Sequence, residues 1–280
     1  MKAIFSLLLR DRAAMLGLLI LAVIVFCAIF GNYVVPYPED AYDAKPWQRL
    51  QPPSAEFWLG TDGIGRDVFS RMVLGARVAL TIACVTVLVS MLIGVPLGLI
   101  AGYAGGIGGQ IIMRVTDIFL AVPQLVLALV FASIMRPSIA TAMIALTLTY
   151  WPMFCRIVYS ETRRISVDPF VDALQAQGCS PARIVLMHIL PNVLPVVIVR
   201  ATIGMGVTIL VAASLGFLGL GATPPTPEWG LMVAESQRYL PSGWWLSVFP
   251  GLAILVTVLA FNLIGDSLRD VIDPRIRRSR

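Results

Sequence analysis

Charge is scarce in this sequence. Only 13% of its 280 residues are Asp, Glu, Lys or Arg, against roughly 25% in soluble domains. There is a single histidine, His188, with no metal-ligand spacing around it. The four cysteines, Cys27, Cys84, Cys155 and Cys179, are scattered, and three of them lie in apolar runs. They read as packing residues, not as a disulfide or metal framework. No Gly-x-x-x-x-Gly-Lys-Ser/Thr occurs, so the chain has no P-loop of its own to cradle ATP. A Gly-x-Ser-x-Gly elbow is missing too. No pair of carboxylates falls at membrane depth, which removes the proton relay of many secondary transporters. No catalytic residue, metal site or cofactor bound by this chain is expected.

Apolar residues, by contrast, make up 58% of the chain, and mean hydropathy is +0.85. A disordered chain, a disulfide scaffold and an ordinary cytosolic enzyme are all excluded by that composition. Six runs are long enough for a helix to cross a hydrocarbon core, which takes about 20 residues. They are Ala13–Gly31, Val78–Tyr103, Val115–Met135, Ser138–Cys155, Leu194–Leu220 and Leu246–Ile264. At these lengths the reading is an all-α membrane protein with six transmembrane helices. The first run is too long for a signal-peptide core, and Phe30-Gly31-Asn32-Tyr33 is a poor cleavage site.

Six spans put both termini on one side. With the termini inside, thirteen Lys/Arg fall on inner segments and seven on outer ones, so both termini are placed in the cytoplasm. The net charge of +5 is then mainly a matter of orientation. No basic cluster interleaves with aromatics, so nucleic acid is not an expected partner; membrane lipid is. The layout is a cytoplasmic N-terminus (1–12), a first span (13–35), an external loop (36–77) and a core with the other five spans (78–280). Within the core lie a cytoplasmic loop (156–193), an external loop (221–245) and a cytoplasmic C-terminus (265–280).

Two ionisable residues fall inside spans. Asp117 is three residues from Arg114 and reads as an i,i+3 pair near the membrane surface, with a place in the translocation pathway as the rival reading. Arg200 lies about 10 Å into the fifth span, and two readings stand for it: snorkelling to the interface, or facing a water-filled cavity. Gly94, Gly98 and Gly102 share one helix face and predict close packing with another helix, while Pro96 predicts a kink. The glycine-rich stretch Gly102–Gly109 reads as a flexible connector.

The loop 156–193 is the most informative segment. Phe170–Gln177 predicts a short helix after Asp168-Pro169, stopped by Gly178. Ser180 and Pro181 start a second helix, Ala182–Ile189, ending before Pro191. Ala173 and Ala176 present small side chains on a knob that cannot bury itself and is suited to a partner's groove.

The same residues resemble the EAA loop of bacterial ABC importer permeases. Asp172-Ala173-Leu174, three residues, Gly178, nine residues, then His188-Ile189-Leu190-Pro191 match its spacing, with Asp, Leu and His substituted at three positions. Leu59–Arg71 (LGTDGIGRDVFSR) with Gly75-Ala76-Arg77, Ser214–Gly230 and Asp266–Pro274 are similar to segments of the C-type permease of dipeptide/oligopeptide importers. The resemblance implies a type I ABC importer permease fold in the bacterial inner membrane, working by alternating access. A homologous second permease, two ATPase subunits (or one heterodimer of them) carrying ATP and Mg, and an extracytoplasmic substrate-binding protein are the implied partners. Asp172, Ala173, Ala176, Gly178 and Pro191 would couple to the ATPases; Glu228 and Trp229 would meet the binding protein. Implied substrates are di- and oligopeptides, with nickel or glutathione as the alternative. A stand-alone secondary transporter or channel is the reading from another class.

Overall fold

The computed structural model describes residues 11–272. Lys2, Arg10, Pro274 and the arginines at 275, 277, 278 and 280, which entered the orientation and family readings, lie outside the described residues. Nine helices account for most of the described chain: α1 Arg12–Val34, α2 Val68–Ala104, α3 Gly106–Ala121, α4 Gln124–Ser133, α5 Ile139–Ser166, α6 Pro169–Ala176, α7 Pro181–Phe217, α8 Trp229–Ser236 and α9 Trp245–Ile272. Single 3-10 turns punctuate the loops, and one isolated antiparallel bridge joins Thr61 to Asp67. Five of the helices are long and apolar enough to span a membrane, and the bent pair α3–α4 supplies a sixth crossing if it is taken as one span.

Several helices outrun the apolar runs that predict them. Asp67 starts α2 ten residues before Val78, its carboxylate accepting from the amide of Ser70 at 2.8 Å. Arg156 does not close α5; the helix continues to Ser166, with Glu161 and Arg164 paired at 2.9 Å one turn apart. Nor does Pro191 end the second loop helix. A π-helical turn over Ile184–Ile189 absorbs it, and the Leu190 amide reaches back to the Val185 carbonyl. Asn192 Nδ2 donates to the His188 carbonyl at 2.6 Å, so a carbonyl at the break keeps a partner. The outcome is one helix, α7, of 37 residues.

The third span is broken. α3 and α4 meet at 90° across Val122-Pro123. A residue preceding proline is pushed out of the helical region, and Val122 sits at ψ 134°. The stretch Gly102–Gly109 is not a flexible connector either. Only Gly105 separates α2 from α3, and Gly105 and Gly106 both take positive φ, +59° and +58°.

The centre of the bundle is α2 against α5, the most extensive helix pair. A Cβ on Gly94 would lie 2.5 Å from the Trp151 carbonyl, one on Gly98 2.6 Å from that of Cys155, and one on Gly102 2.6 Å from Thr162 Cβ. The three glycines therefore let two backbones touch. Their order along both helices makes α2 and α5 parallel, so the start of α2 and the end of α5 lie at opposite ends of the bundle. α7 and α9 pack on α2 and on each other, and α1 packs along α2 and α9. α1 leaves Leu19, Val23, Ile29 and Phe30 exposed, as a helix facing lipid would.

Candidate functional site

At the end of the bundle where α5 stops, the chain turns through Val167 and Asp168 into α6. Pro169 occupies the first helical position, where a missing N–H costs nothing. Gly178 closes the helix at φ +78°. Its amide donates to the Gln175 carbonyl at 2.9 Å, and the Cys179 amide to that of Leu174 at 3.1 Å. That pair of bonds is a Schellman motif, with the helix-closing glycine in the position the sequence predicts.

One face of α6 is anchored. Val171 is completely buried, in the core cluster that holds Leu99 of α2, Val158 and Ile165 of α5, and Ile184, Ile189 and Val193 of α7. Leu174 and Cys179 pack on the same cluster, and Gln175 reaches the Tyr103 hydroxyl at 3.4 Å. The other face is bare: Asp172, Ala173, Ala176 and Gly178 are all exposed. A Cβ on Gly178 would meet nothing within 4 Å. Pro191 is also exposed, but inside the continuous helix α7.

The two ionisable residues within spans have separate partners. Asp117 forms an ion pair with Arg156 of α5, not the expected i,i+3 pair with Arg114. Both partners are nearly half exposed, so the pair ties α3 to α5 at the rim of the bundle. The Arg200 guanidinium lies 5.8 Å from the ring centroid of Tyr150, a cation–π contact between α7 and α5. Gly204 leaves room for that tyrosine: a Cβ there would lie within van der Waals overlap of its hydroxyl.

At the opposite end, Glu228 and Trp229 are turned inward, which corrects their expected place on an outward contact surface. Glu228 is the N-cap of α8, accepting from the amides of Gly230 and Leu231 at 2.9 and 2.7 Å. Burial pushes its carboxyl above the usual range, although these two amides pull the other way. Trp229 Nε1 donates to the Met72 carbonyl at 2.9 Å, across Gly75, where no side chain would fit beside the indole.

Beneath α8 lies a cluster that sequence reasoning left as scattered outer charges. Asp62 Oδ2 accepts from Arg66 Nε at 2.6 Å and from Arg71 Nη1 at 2.5 Å. Glu235 Oε2 accepts from Arg66 Nη2 at 2.8 Å and lies 3.1 Å from Arg71 Nη1. Arg66 is 3% and Arg71 1% exposed. Burial raises the Asp62 pKa, but the charges of Arg71 and Arg66 and the amides of Arg66 and Ile64 outweigh it, leaving the carboxyl below its usual range. The glycines of LGTDGIGR hold this knot. Gly60 and Gly65 take φ +77° and +89°, and a Cβ on Gly65 would collide with the Lys45 carbonyl. The available signal was the density of Gly, Asp and Arg in Leu59–Arg71.

Comparison with known proteins places these features in a family. The model of the family described as binding-protein-dependent transport system inner membrane component matches residues 94–278. The N-terminal TM domain of oligopeptide transport permease C matches residues 1–53. The dipeptide transport system permease protein DppC of Escherichia coli K12 is 46% identical over 275 residues, 96% of this chain and 91% of that protein. DppC of Alkalihalophilus pseudofirmus is 43% identical over 98% of this chain and 89% of its own length. The glutathione transport system permease protein GsiD of Shigella flexneri is 41% identical over 96% of this chain and 88% of its own. Among solved structures, a chain of the MetNI methionine ABC transporter in an inward-facing conformation superposes with TM-score 0.60 at 21% identity, covering 73% of this chain and 98% of that one. That likeness gives the fold, a type I ABC importer permease.

Proposed function

The chain belongs to the family of binding-protein-dependent transport system inner membrane components, and from that premise we propose that it is the C-type permease of an ATP-driven dipeptide importer. The substrate class follows the relatives: those with the higher identities carry dipeptides in their names, and the glutathione permease stands further off.

In this reading the α6 end faces the cytoplasm, as the sequence count of Lys and Arg on inner against outer segments expects. α6 docks into an ATPase subunit, which carries the ATP and Mg. A homologous permease completes the pore, and an extracytoplasmic binding protein delivers substrate to the opposite end. The observation that carries the reading is the two-faced character of α6. Its exposed Ala173 and Ala176 admit close approach of a partner, while Val171, fully buried, ties it to α2, α5 and α7. Force applied at the exposed face therefore moves the ends of three spanning helices together, as alternating access requires. Asp172 adds a negative charge beside that face. A core packed at crystal-like density transmits such a displacement without absorbing it.

Uptake of labelled dialanine into proteoliposomes, with all subunits reconstituted and ATP supplied on the α6 side, tests this. ATP-dependent accumulation, competed by other dipeptides and not by glutathione or nickel, is the expected result. Accumulation without ATP would sink the reading and favour a stand-alone transporter.

A further inference from the structure

An open groove of about 440 Å³ runs between α1 and α2 on the flank of the bundle, with Ala28 and Ile29 on one side and Arg77, Leu80, Cys84 and Val85 on the other. Small-molecule sites typically have about 300–1,000 Å³. The two helices are antiparallel: Gly31 packs against Val73 and Leu74, and Leu21 shares a cluster with Ala83. Ile29, level with Arg77, lies five residues inside the end of α1 at Val34, about 7–8 Å along the helix. From Arg77 to Val85 the groove runs about 12 Å further toward the middle of the bundle. It is therefore charged at one end and apolar below.

Within Gly75-Ala76-Arg77, Gly75 makes room for the Trp229 indole and Ala76 is buried. Arg77 is exposed, and among the described residues its guanidinium has no hydrogen-bond or ion-pair partner. The hydroxyl of Thr81, one turn on, is committed to the Arg77 carbonyl at 2.7 Å, and no Asp or Glu lines the groove. An arginine at membrane depth is costly unless it snorkels to the interface and finds a counter-charge there, and its fork matches phosphate. We propose that this groove binds one anionic phospholipid, its headgroup phosphate paired with Arg77 and an acyl chain laid along Leu80, Cys84 and Val85 against Ala28 and Ile29. Charge complementarity selects the occupant: the groove offers one unpaired cation and no acid. The groove is also continuous with the exposed apolar face of α1 at Phe26, Ile29 and Phe30, which faces lipid. The proposal needs the chain to be in a membrane and rests neither on ATP nor on a dipeptide.

The test uses the full chain, assembled with its partner subunits, in nanodiscs of phosphatidylcholine containing phosphatidylglycerol with a photoactivatable acyl chain. Mass spectrometry of the irradiated protein should find adducts on residues 77–85. They should saturate with the fraction of probe and be competed by added phosphatidylglycerol, but not by phosphatidylcholine, whose own choline neutralises its phosphate. Arg77→Gln should lower the adduct yield about fivefold or more, while Arg77→Lys, which keeps the charge, retains most of it. Ala28→Leu, which narrows the groove and leaves Arg77 in place, should lower the yield similarly. A photo-crosslinking residue at Thr81 should capture lipid. Equal labelling by a phosphatidylcholine probe, unchanged labelling in Arg77→Gln, or capture of the second permease in place of lipid from position 81 overturns the proposal. Labelling is read on this chain without ATP or dipeptide, so its outcome is separate from that of the uptake experiment.

Discussion

The amide of Cys179 donates to the carbonyl of Leu174 across Gly178, and that bond fixes the direction in which the chain leaves α6. Gly178 holds φ +78° with open space around it, so a substitution is penalised by backbone strain and not by collision. Gly178→Ala should cost about 1 kcal/mol, and Gly178→Asn less, since Asn tolerates the left-handed region. Gly178→Asp should further place a second negative charge near Asp172 and assemble poorly with the ATPases or uncouple transport. Thermal melts of the three variants beside uptake and substrate-stimulated ATPase rates in proteoliposomes check this. Normal coupling in Gly178→Asp would contradict the role given to this turn.

The glycine seam between α2 and α5 predicts a contrast between sites. Gly98→Ala forces a methyl group to within 2.6 Å of the Cys155 carbonyl, and overpacking of this kind costs about 1–3 kcal/mol. Gly108→Ala, in α3 with nothing within 4 Å, should be neutral or stabilising by about 0.5–1 kcal/mol. The unfolding midpoint should fall for Gly98→Ala and hold level or rise for Gly108→Ala.

Asp117 and Arg156 should show pairwise coupling. Each single replacement, Asp117→Asn or Arg156→Gln, is expected to destabilise modestly, because both partners are nearly half exposed and screened. A double-mutant cycle should return an interaction energy of about 1 kcal/mol or less. A charge-swapped pair, Asp117→Arg with Arg156→Asp, should recover much of the loss. A pairing of Asp117 with Arg114 instead would leave the cycle at zero.

Two carboxyls at the end opposite α6 predict opposing slopes of stability with pH. Burial raises the Glu228 pKa in the fold, so its protonated form is favoured there; stability rises as pH falls through its folded value and levels off below its unfolded value, about 4.3. For Asp62, burial is outweighed by Arg71 and Arg66. Its contribution is complete above the unfolded value, about 3.9, and is lost as pH falls through the lower folded one. The unfolding midpoint should therefore climb on mild acidification and then drop. Glu228→Gln should reduce the climb, leaving the part that burial of Asp67 contributes, and keep the drop. Asp62→Asn should cost about 3–5 kcal/mol at neutral pH, since it strips a partner from two buried arginines.

Much of this was legible in the sequence because the governing interactions are local. Length and apolarity predict the spans, and Gly178, Ser180 and Pro181 predict the turn after α6, since a left-handed glycine and a proline at a helix start act within a few residues. Non-local compensation was not legible. Pro191 reads as a stop, but a π-helical turn and the Asn192 side chain repair the break. Val122-Pro123 sits in an unbroken apolar run, so hydropathy carries no trace of the 90° bend between α3 and α4. Glu228 and Trp229 look exposed by loop position and are buried because α8 folds back over Met72 and Gly75. Arg66 and Glu235 of the buried charge cluster stand 169 positions apart, and no periodicity links them to each other or to Asp62 and Arg71.

The central claim is that α6 is the seat of the motor. A photo-crosslinking residue at Ala173, on the exposed face of α6, and another at Trp58, exposed near the opposite end, test it directly in the assembled, transport-competent complex. The account predicts an ATPase adduct from position 173 and none from position 58. A functional complex that gives no ATPase adduct at 173, or gives one at 58, would contradict it.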